Sequence, residues 1–342
     1  MKNAEWKKFQ SDFLDSLSAR TGPVKLVDAI ARATGKSNHA AYKKIRNDSM
    51  LGIDELIILA RTYDLSIDQF LGHRSAPVPF MSDAIRKMPE EPGDYLLNLQ
   101  KHLSQLTNAT GLSYLTLAGE VPIFHMMPFH RLFALKLFAW NFTNWSIHRF
   151  EEKFEPDVYL KNKELTQNIE KLAHTYYQFP GVEIWNIRML DIIIDQIKYF
   201  VHIGAFRNKI IVQEITSELF DLVDHLRKIC TTGAKRFETK ESLHKSNVKI
   251  YMNEIVYSNE ISYVSSDQGE FAFIAADSPN YLRSSDPRMT AHLKKWLTRT
   301  MNHSTQISGE GEKERRVLFE KINQKLLKAR SEIDSLSNYV FG

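Results

Sequence analysis

The stretch RATGKSNHAAYKKIR, residues 32–46, is the part of this sequence that decides the fold of its N-terminal region. It carries five Lys or Arg residues and no Asp or Glu. The whole chain of 342 residues has a formal net charge of only +4, so the positive charge of this stretch is local. A focused basic patch predicts a small, oriented contact with a polyanion, and nucleic acid is the first class of partner to consider.

The residues around this stretch predict a compact domain of five short helices over residues 1–72. Gly22-Pro23 is typical of the start of a second helix, and Gly35 is placed to end that helix in a left-handed conformation. A fourth helix is expected from Gly52 and a fifth from Ser66. The first helix, from about residue 3 to 18, has its apolar side chains three or four residues apart, on one face: Trp6, Phe9, Phe13 and Leu17.

The third helix carries the basic patch. Ser37 is a residue that caps helix N-termini, and Ala41 and Ile45, four residues apart, are expected to face the core. The same spacing directs five polar side chains outward, and these are Asn38, His39, Tyr42, Lys43 and Arg46.

This segment resembles the helix-turn-helix domains of the lambda-repressor-like (Cro/C1-type) transcriptional regulators, over about a fifth of the chain. The resemblance implies that the helix from Ser37 enters the major groove of DNA and that the preceding helix crosses the backbone. One departure is visible, because Asn47-Asp48 close the third helix where the family pattern more often has an aliphatic residue and Gly. The motifs that carry the resemblance are Gly35-Lys36-Ser37, AAYKKIR at 40–46, GIDELIILARTYD at 52–64 and LSIDQFLG at 65–72.

Each residue of the patch has a role that suits DNA. The amide of Asn38 matches adenine, Lys43 or Arg46 matches guanine, and His39 or Tyr42 suits a phosphate or a thymine methyl group. Phosphate contacts are expected from Arg32, Lys36 and Lys44. The alternative is a solvated helix face that serves only solubility. The predicted DNA-binding residues are Arg32, Lys36, Ser37, Asn38, His39, Tyr42, Lys43, Lys44 and Arg46.

The sequence predicts a mainly α protein with a small α+β C-terminal part. Residues 73–93 are proline-rich and predict a linker, 94–240 predict a helical dimerisation or sensing region, and 241–342 predict a small α+β region. VEIWNIRMLDIIIDQIKYFVHIG, residues 182–204, is interpreted as one helix, and residues 248–277 as three strands. A strand is also expected at 112–120, a buried helix from Phe129, and helices near 288–301 and 312–336.

No segment has the features of a membrane span or a secretory signal. The most apolar stretch, residues 122–142, contains Pro122, Pro128 and several charged or polar residues, which rule out an uninterrupted span of about 18 apolar residues. The N-terminus is polar throughout. The single cysteine, Cys230, excludes a disulfide framework and suits a reducing cytoplasm.

The loop STQISGEGEKERR, residues 304–316, is a candidate effector site. Its hydroxyls and glycines lead into a helix, an arrangement that can hold an anion on backbone N–H groups. Three glutamates in the loop would repel a phosphate, so an ordinary exposed loop is the competing interpretation. The candidate effector-binding residues are Ser304, Ser308, Arg315 and Arg316.

Signals for an enzyme are weak. His125 and His130 lie five residues apart with Pro128 between them, which is not metalloprotease spacing. Asp191 and Asp195, four residues apart, are typical of the solvent-exposed face of a helix. No Rossmann or Walker glycine pattern is present. The sequence therefore predicts no catalytic residue, no metal and no cofactor.

Together these features predict a cytoplasmic, sequence-specific transcriptional regulator that binds double-stranded DNA as a homodimer and responds to a small-molecule or peptide effector. Its dimer interface is expected among the aromatic helices of residues 129–230, outside the DNA-binding domain. Two alternatives stay open: a peptide- or protein-binding interaction protein that uses the helical middle region, with the N-terminal domain as adaptor, and an enzyme whose active-site residues are scattered in sequence.

Overall fold

The computed structural model describes residues 2–21, 25–70, 78–82, 89–107, 109–145, 153–238, 243–255 and 260–342. The chain divides into two compact units, Met1–Pro79 and Phe80–Gly342. The division falls inside the segment predicted as a linker. Each unit has its own hydrophobic core.

The N-terminal unit is a small helical bundle. Its core consists of the completely buried side chains of Phe13, Leu17, Ile30 and Leu59, with Ala41 of the third helix among them. The predicted apolar stripe of the first helix is wrong at Trp6, which is 56% exposed, because the buried part of α1 in this core begins at Phe13. The helices are α1 (Lys2–Arg20), α2 (Leu26–Thr34), α3 (Asn38–Ile45) and α4 (Ile53–Thr62), followed by a 3₁₀ turn (Ile67–Phe70).

The predicted boundaries of α3 are confirmed by its caps. Gly35 has a φ of 66°, which closes α2 in the left-handed conformation, and Ser37 Oγ accepts a hydrogen bond from the Ala40 N–H at 3.3 Å. After α3, Asn47 has a φ of 57° and takes the position for which glycine is usual. Asn adopts this conformation more readily than most residues other than glycine. The predicted start of α2 at Gly22-Pro23 lies outside the described residues.

The second unit is built on one mixed sheet of eight strands. The strand order is β3-β4-β2-β1-β5-β6-β7, and β8 also pairs with the last two residues of β4. β1, β2 and β4 are parallel, and the remaining pairs are antiparallel. The strands are β1 (Ser113–Leu117), β2 (Gly181–Trp185), β3 (Ala234–Glu238), β4 (Leu243–Met252), β5 (Ile261–Ser266), β6 (Gly269–Asp277), β7 (Asn280–Ser284) and β8 (Thr305–Gln306).

Helices cover both faces of this sheet. One face packs against most of the helices and carries the main core, and the other carries Leu117, Ile184 and Tyr263 against Leu297 of a C-terminal helix. The helices are α5 (Pro92–Thr107), α6 (Ile123–Met126), α7 (His130–Trp140), α8 (Pro156–Leu160), α9 (Lys163–Tyr177), α10 (Asp191–His202), α11 (Lys209–Thr232), α12 (Pro287–Asn302) and α13 (Glu312–Phe341), with a π-helical turn (Asn141–Trp145) after α7.

The predicted strand at 112–120, the buried helix from Phe129 and the two C-terminal helices are confirmed. The single helix predicted over 182–204 is wrong, because residues 181–185 form β2 and only Asp191–His202 are helical. A short strand that is buried on both faces, such as VEIW at 182–185, lacks the period-2 alternation that separates a strand from a buried helix. Since β1 and β2 join β4 to β7 in one sheet, the regions 94–240 and 241–342 form one unit and not two.

The hairpin between β5 and β6 confirms one of the two predicted turns. Gly269 follows Asp267-Gln268 with a φ of 126°, a conformation that side chains larger than hydrogen rarely adopt. The other predicted turn, at Ser258-Asn259-Glu260, lies largely outside the described residues. β3, β7 and β8 were not predicted, because each is too short to show a period.

Candidate functional sites

The outer face of α3 presents most of the side chains predicted to contact DNA. Ser37, Asn38, His39, Lys43 and Arg46 are exposed, and Tyr42 is 50% exposed. Arg32 at the end of α2 and Lys36 in the turn are exposed as well. These side chains extend from two helices and the turn between them, so they form one continuous polar surface.

Lys44 does not belong to this surface. It is only 8% exposed, its Nζ lies 2.5 Å from Glu55 Oε2 of α4, and it donates a hydrogen bond to the Met50 carbonyl at 3.1 Å. The predicted phosphate contact of Lys44 is therefore wrong. Its position three residues after the buried Ala41 places it on the inner side of α3, and the acidic start of α4 supplies its partner.

Asn38 has a partner within the turn. Its Nδ2 donates to Asp28 Oδ1 of α2 at 3.2 Å, and both groups are exposed. The carboxylate orients the amide and holds it at the N-terminal end of α3. An adenine contact would have to use the amide oxygen of Asn38 or exchange this hydrogen bond.

A buried glutamine fixes α3 against α1. Gln10 is 1% exposed; its Nε2 donates to the carbonyls of Lys44 and Ser49, at 2.8 and 3.0 Å, and its Oε1 accepts from the Leu51 N–H at 2.7 Å. Asn47 also donates to Ser11 Oγ of α1 at 2.8 Å. These bonds satisfy backbone groups after the end of α3, so the loop to α4 is rigidly held.

The second unit contains a cavity of about 190 Å³ over the face of the sheet that α5, α6 and α9 cover. The sheet register explains its floor: Thr116 pairs with Ser262, Ser262 with Phe273, and Phe273 with Arg283, so one row of side chains crosses four strands. The opposite wall comes from α5, α6 and α9. The principal lining residues are Tyr95, His102, Tyr114, Thr116, Phe124, Tyr176, Phe179, Glu260, Ser262, Phe271, Phe273, Tyr281 and Arg283.

Glu260 is the carboxylate of this cavity. Burial raises its pKa to about 7, and the hydrogen bond from Tyr281 opposes that rise only in part. The nearby carboxylates of Glu120 and Glu183 raise the pKa further, and Lys136 lowers it. Lys136 is itself ion-paired with Glu120 at 2.5 Å, so its charge is already compensated. Glu260 therefore shares the cavity lining with Arg283, whereas Lys136 is held by Glu120.

A buried polar network stands behind the cavity wall formed by Tyr114 and Tyr176. Glu183 of β2 is completely buried, and its Oε1 accepts hydrogen bonds from the hydroxyls of Tyr114 at 2.8 Å and Tyr176 at 2.5 Å. Its Oε2 accepts from Trp185 Nε1 at 2.8 Å and lies 3.0 Å from His125 Nε2. Burial by itself would raise the pKa of Glu183, but the interactions with His125 and Lys235 hold that pKa well below its ordinary value.

Lys235 completes the network from β3. It is completely buried, and its Nζ donates to the Tyr114 hydroxyl at 2.9 Å and to the Tyr176 carbonyl at 3.0 Å. The ammonium group also lies 3.7 Å from the centre of the Tyr176 ring. Burial lowers the pKa of Lys235 to about 7, and Glu183 opposes that shift. The network thus anchors two tyrosine hydroxyls and leaves their rings in the cavity wall.

The charged groups of this network are shielded from the cavity by its wall. Glu183, His125 and Lys235 all have no exposed surface, so a substrate in the cavity meets the rings of Tyr114 and Tyr176 and not these charged groups. The Nδ1 atom of His125 also lies 3.5 Å from the Tyr177 hydroxyl. His125 is completely buried and its partner Glu183 comes from β2, a contact that the sequence did not indicate.

The loop predicted to bind an effector makes internal contacts instead. Ser308 is 2% exposed and its Oγ accepts from the Ile250 N–H at 2.9 Å, whereas Ser304 Oγ bonds to Asn253 Nδ2 at 2.8 Å. Arg315 donates to the carbonyls of Ile307 and Gly309, at 3.0 and 2.9 Å. Arg316 is exposed. Three of the four candidate side chains therefore fix the loop to itself and to residues 250–253, and the effector site at this loop stays a prediction.

The sequence alone missed the cavity residues. Ser262 and Val264 alternate with residues of β5 that face the other side of the sheet, so period 2 could have assigned them to one face. Nothing in the sequence pairs them with Tyr95 of α5 or Tyr281 of β7. Glu183 was hidden because β2 was interpreted as helix.

Comparison of the chain with known proteins found no matching family model, no similar curated protein and no similar solved structure. Among the helices in the described residues, none is long and apolar enough to cross a membrane. In the same part of the chain, His, Cys, Asp and Glu side chains form no group of three or more that could hold a metal ion. The two sites above are therefore interpreted from their own geometry.

Proposed function

We propose that this protein is a sequence-specific DNA-binding transcriptional regulator in which the N-terminal unit reads DNA and the second unit dimerises and binds an effector. The observation that supports DNA binding best is the outer face of α3. It combines Lys43, Arg46 and the amide of Asn38 on a short helix that is capped at both ends and fixed by Gln10. Such a helix fits the major groove, which is about 12 Å wide.

The side chains form two groups, which differ in their position and in the part of the DNA that they are proposed to contact. Those on α3 itself, Asn38, His39, Tyr42, Lys43 and Arg46, are proposed to contact base edges or the adjacent backbone. Arg32 and Lys36 are proposed to contact phosphates, since they lie at the end of α2 and in the turn. Lys44 is left out because its charge is used inside the protein.

The test is selection of genomic DNA fragments by the purified full-length protein. The variant with Asn38, Tyr42, Lys43 and Arg46 all changed to Ala loses the outer face of α3. The control with Lys8→Ala and Arg61→Ala loses two exposed cations from other parts of the same unit. We expect the wild type and the control to enrich the same inverted repeat and the α3 variant to enrich none. Absence of any enriched sequence in all three proteins would contradict sequence-specific binding.

Salt dependence separates the two groups of contacts. Lys36→Ala is expected to weaken binding to all sequences alike and to reduce the slope of log affinity against log salt by about one. Arg46→Ala is expected to cost about 1–3 kcal/mol on the selected site and to relax the preference at one base position. Equal losses on selected and random DNA for Arg46→Ala would assign that residue to the backbone instead.

Dimerisation is proposed through α10, within the region suggested by sequence. α7 cannot serve, since most of its side chains are buried in the core of its own unit. On α10 and its C-cap residue, Ile192, Tyr199 and Ile203 are 45%, 49% and 45% exposed, and their spacings of seven and four place them on one face. Two copies of this face would bury each other's apolar side chains.

Sedimentation equilibrium tests this interface. We expect the wild type to dimerise and Tyr199→Glu to sediment as a monomer, while Tyr339→Glu, which changes an aromatic residue that is 88% exposed on α13, stays dimeric. A wild-type protein that is monomeric at all concentrations, free and on DNA, would contradict the proposed dimer.

A further inference from the structure

We propose that the cavity of the second unit binds a compact aromatic amine, with the positive charge of the ligand next to Glu260 and its ring among the aromatic side chains. This assigns a chemical class to the effector of the proposed regulator. The regulatory meaning rests on the proposed function, whereas binding to the cavity does not.

The charges around the cavity favour a cation. Glu260 is the carboxylate that lines the cavity, whereas Glu120 is ion-paired with Lys136 and Glu183 is buried behind the wall against His125. The two buried lysines nearby already have partners: Lys136 is ion-paired with Glu120, and Lys235 is hydrogen-bonded to Tyr114 and to the Tyr176 carbonyl. Burial keeps the pKa of Glu260 near 7, so an ammonium group placed beside it would restore the charged form of the carboxylate.

The aromatic side chains supply a second attraction. Tyr95, Phe124, Phe273 and Tyr281 approach the same space from α5, α6, β6 and β7. Aromatic faces attract cations and also pack against an aromatic ring, which makes the wall suitable for both ends of such a molecule. A tyrosine hydroxyl, that of Tyr281, already donates to Glu260 and orients the carboxylate.

The volume limits the size of the ligand. A cavity of about 150 Å³ holds a single benzene ring. The space here, about 190 Å³, therefore accommodates one ring with a short side chain. A smaller cavity of about 120 Å³ adjoins it and shares Tyr95, His102 and Tyr281, so a ligand with a modest substituent also fits.

The cavity is joined to the chain segment that follows the N-terminal unit. Met81 lines the smaller cavity and forms two backbone hydrogen bonds of 2.8 Å with Arg283 of β7, which lines both cavities. Met81 is the second residue of the second unit, so the smaller cavity is lined by the beginning of that unit.

Arg283 is also the reason to test the opposite charge. It is the cation of the cavity floor, one row of the sheet away from Tyr281, and it could attract an anionic ligand instead.

Three probes of similar size distinguish the classes: 2-phenylethylamine, the neutral 2-phenylethanol and the anionic 3-phenylpropanoate. Calorimetric titration of the full-length protein at pH 8 is expected to give an affinity for the amine at least about tenfold above that for the alcohol, with no binding of the anion.

Titration of Glu260 supplies a second readout. With a pKa of about 7 in the free protein, the carboxylate is mostly protonated at pH 6 and mostly ionised at pH 8, so amine affinity is expected to rise about tenfold over this interval. Tyr281 and Tyr95 stay neutral because burial raises their pKa, and Glu183 stays ionised. Lys136 and Glu120 face Glu260 as an ion pair, and His102 of α5 lines the same cavity.

The variant Glu260→Gln keeps the shape of the side chain and removes its charge. We expect it to fold, because it removes a buried charge, to lose the preference for the amine over the alcohol and to lose the pH dependence. Glu310→Gln, an exposed carboxylate outside the cavity, is the matched control and should bind like the wild type. The proposal is overturned if the alcohol or the anion binds as tightly as the amine, if no probe binds, or if Glu260→Gln leaves the preference intact.

A gel-shift assay with the selected DNA then separates the two proposals. A change of DNA affinity with 2-phenylethylamine in the wild type, absent in Glu260→Gln, supports the regulatory link. Amine binding by a protein that binds no DNA would leave the cavity assignment standing and overturn the proposed function. DNA binding by a protein that binds no probe would do the reverse.

Discussion

Two neighbouring lysines of α3 are expected to respond to substitution in opposite ways. Lys44 and Glu55 form an ion pair of 2.5 Å with side-chain exposures of 11% and 7%, and Lys43 beside it is exposed. Removing one partner of a buried pair typically costs 3–5 kcal/mol, because the other charge is left without compensation. Here Glu55 keeps a hydrogen bond from the Gly52 N–H at 2.7 Å. We therefore expect Lys44→Met to cost about 2–4 kcal/mol.

This loss is large for a unit of this size, since small domains have total stabilities of about 5 kcal/mol or slightly more. Lys43→Met should change stability by no more than about 0.5 kcal/mol. Hydrogen exchange of the full-length protein, followed in peptides from α2 to α4, measures both effects. Protection is expected to fall by roughly 30- to 900-fold in Lys44→Met and to stay unchanged in Lys43→Met, which should instead weaken DNA binding.

The double variant Lys44→Met/Glu55→Gln is the control for charge. Glutamine can still accept the hydrogen bond from Gly52, and no buried charge is left, so protection should recover in large part. If Lys44→Met retains full protection, the ion pair contributes nothing and the assignment of Lys44 to the interior is refuted. If Lys44→Met lowers DNA affinity without loss of protection, the original phosphate assignment was correct.

Three further predictions concern other contacts. Gln10→Leu leaves the Lys44 and Ser49 carbonyls and the Leu51 N–H without their partner, and we expect a loss of about 1–3 kcal/mol by the same exchange measurement; unchanged exchange after α3 would show that water replaces the side chain. Gly181→Ala places a Cβ 2.4 Å from the Tyr114 ring, so it should lower the unfolding temperature of the second unit and weaken amine binding. The control Gly93→Ala, whose Cβ meets no atom within 4 Å, should have neither effect. Burial lowers the pKa of Lys235 to about 7, so between pH 7 and 9 this lysine is protonated in the unfolded chain and mostly neutral in the folded protein. The free energy of unfolding should therefore rise with pH, by up to about 1.4 kcal/mol per pH unit. Urea unfolding should show that rise in the wild type and not in Lys235→Met, and a rise of equal size in both would assign it to another group.

Much of the N-terminal unit was determined by the sequence alone. Gly35 and Ser37 fix the end of α2 and the start of α3 through local backbone conformation and one hydrogen bond, and neither depends on distant residues. The apolar spacing of Ala41 and Ile45 likewise determines which face of α3 is exposed. Local rules did not reveal Lys44, because a lysine on the inner face requires a partner that arrives from another helix.

The second unit depended on tertiary structure. β2 has the same apolar pattern as a buried helix, and only its parallel pairing with β1 and β4 makes it a strand. That pairing brings Glu183 to Tyr114, and the pairing of β3 with β4 brings Lys235 to both. The cavity around Glu260 is formed by residues from 95 to 283, so no local pattern could predict it. Sequence spacing determines which face a side chain takes within one element, whereas long-range pairing decides which elements meet.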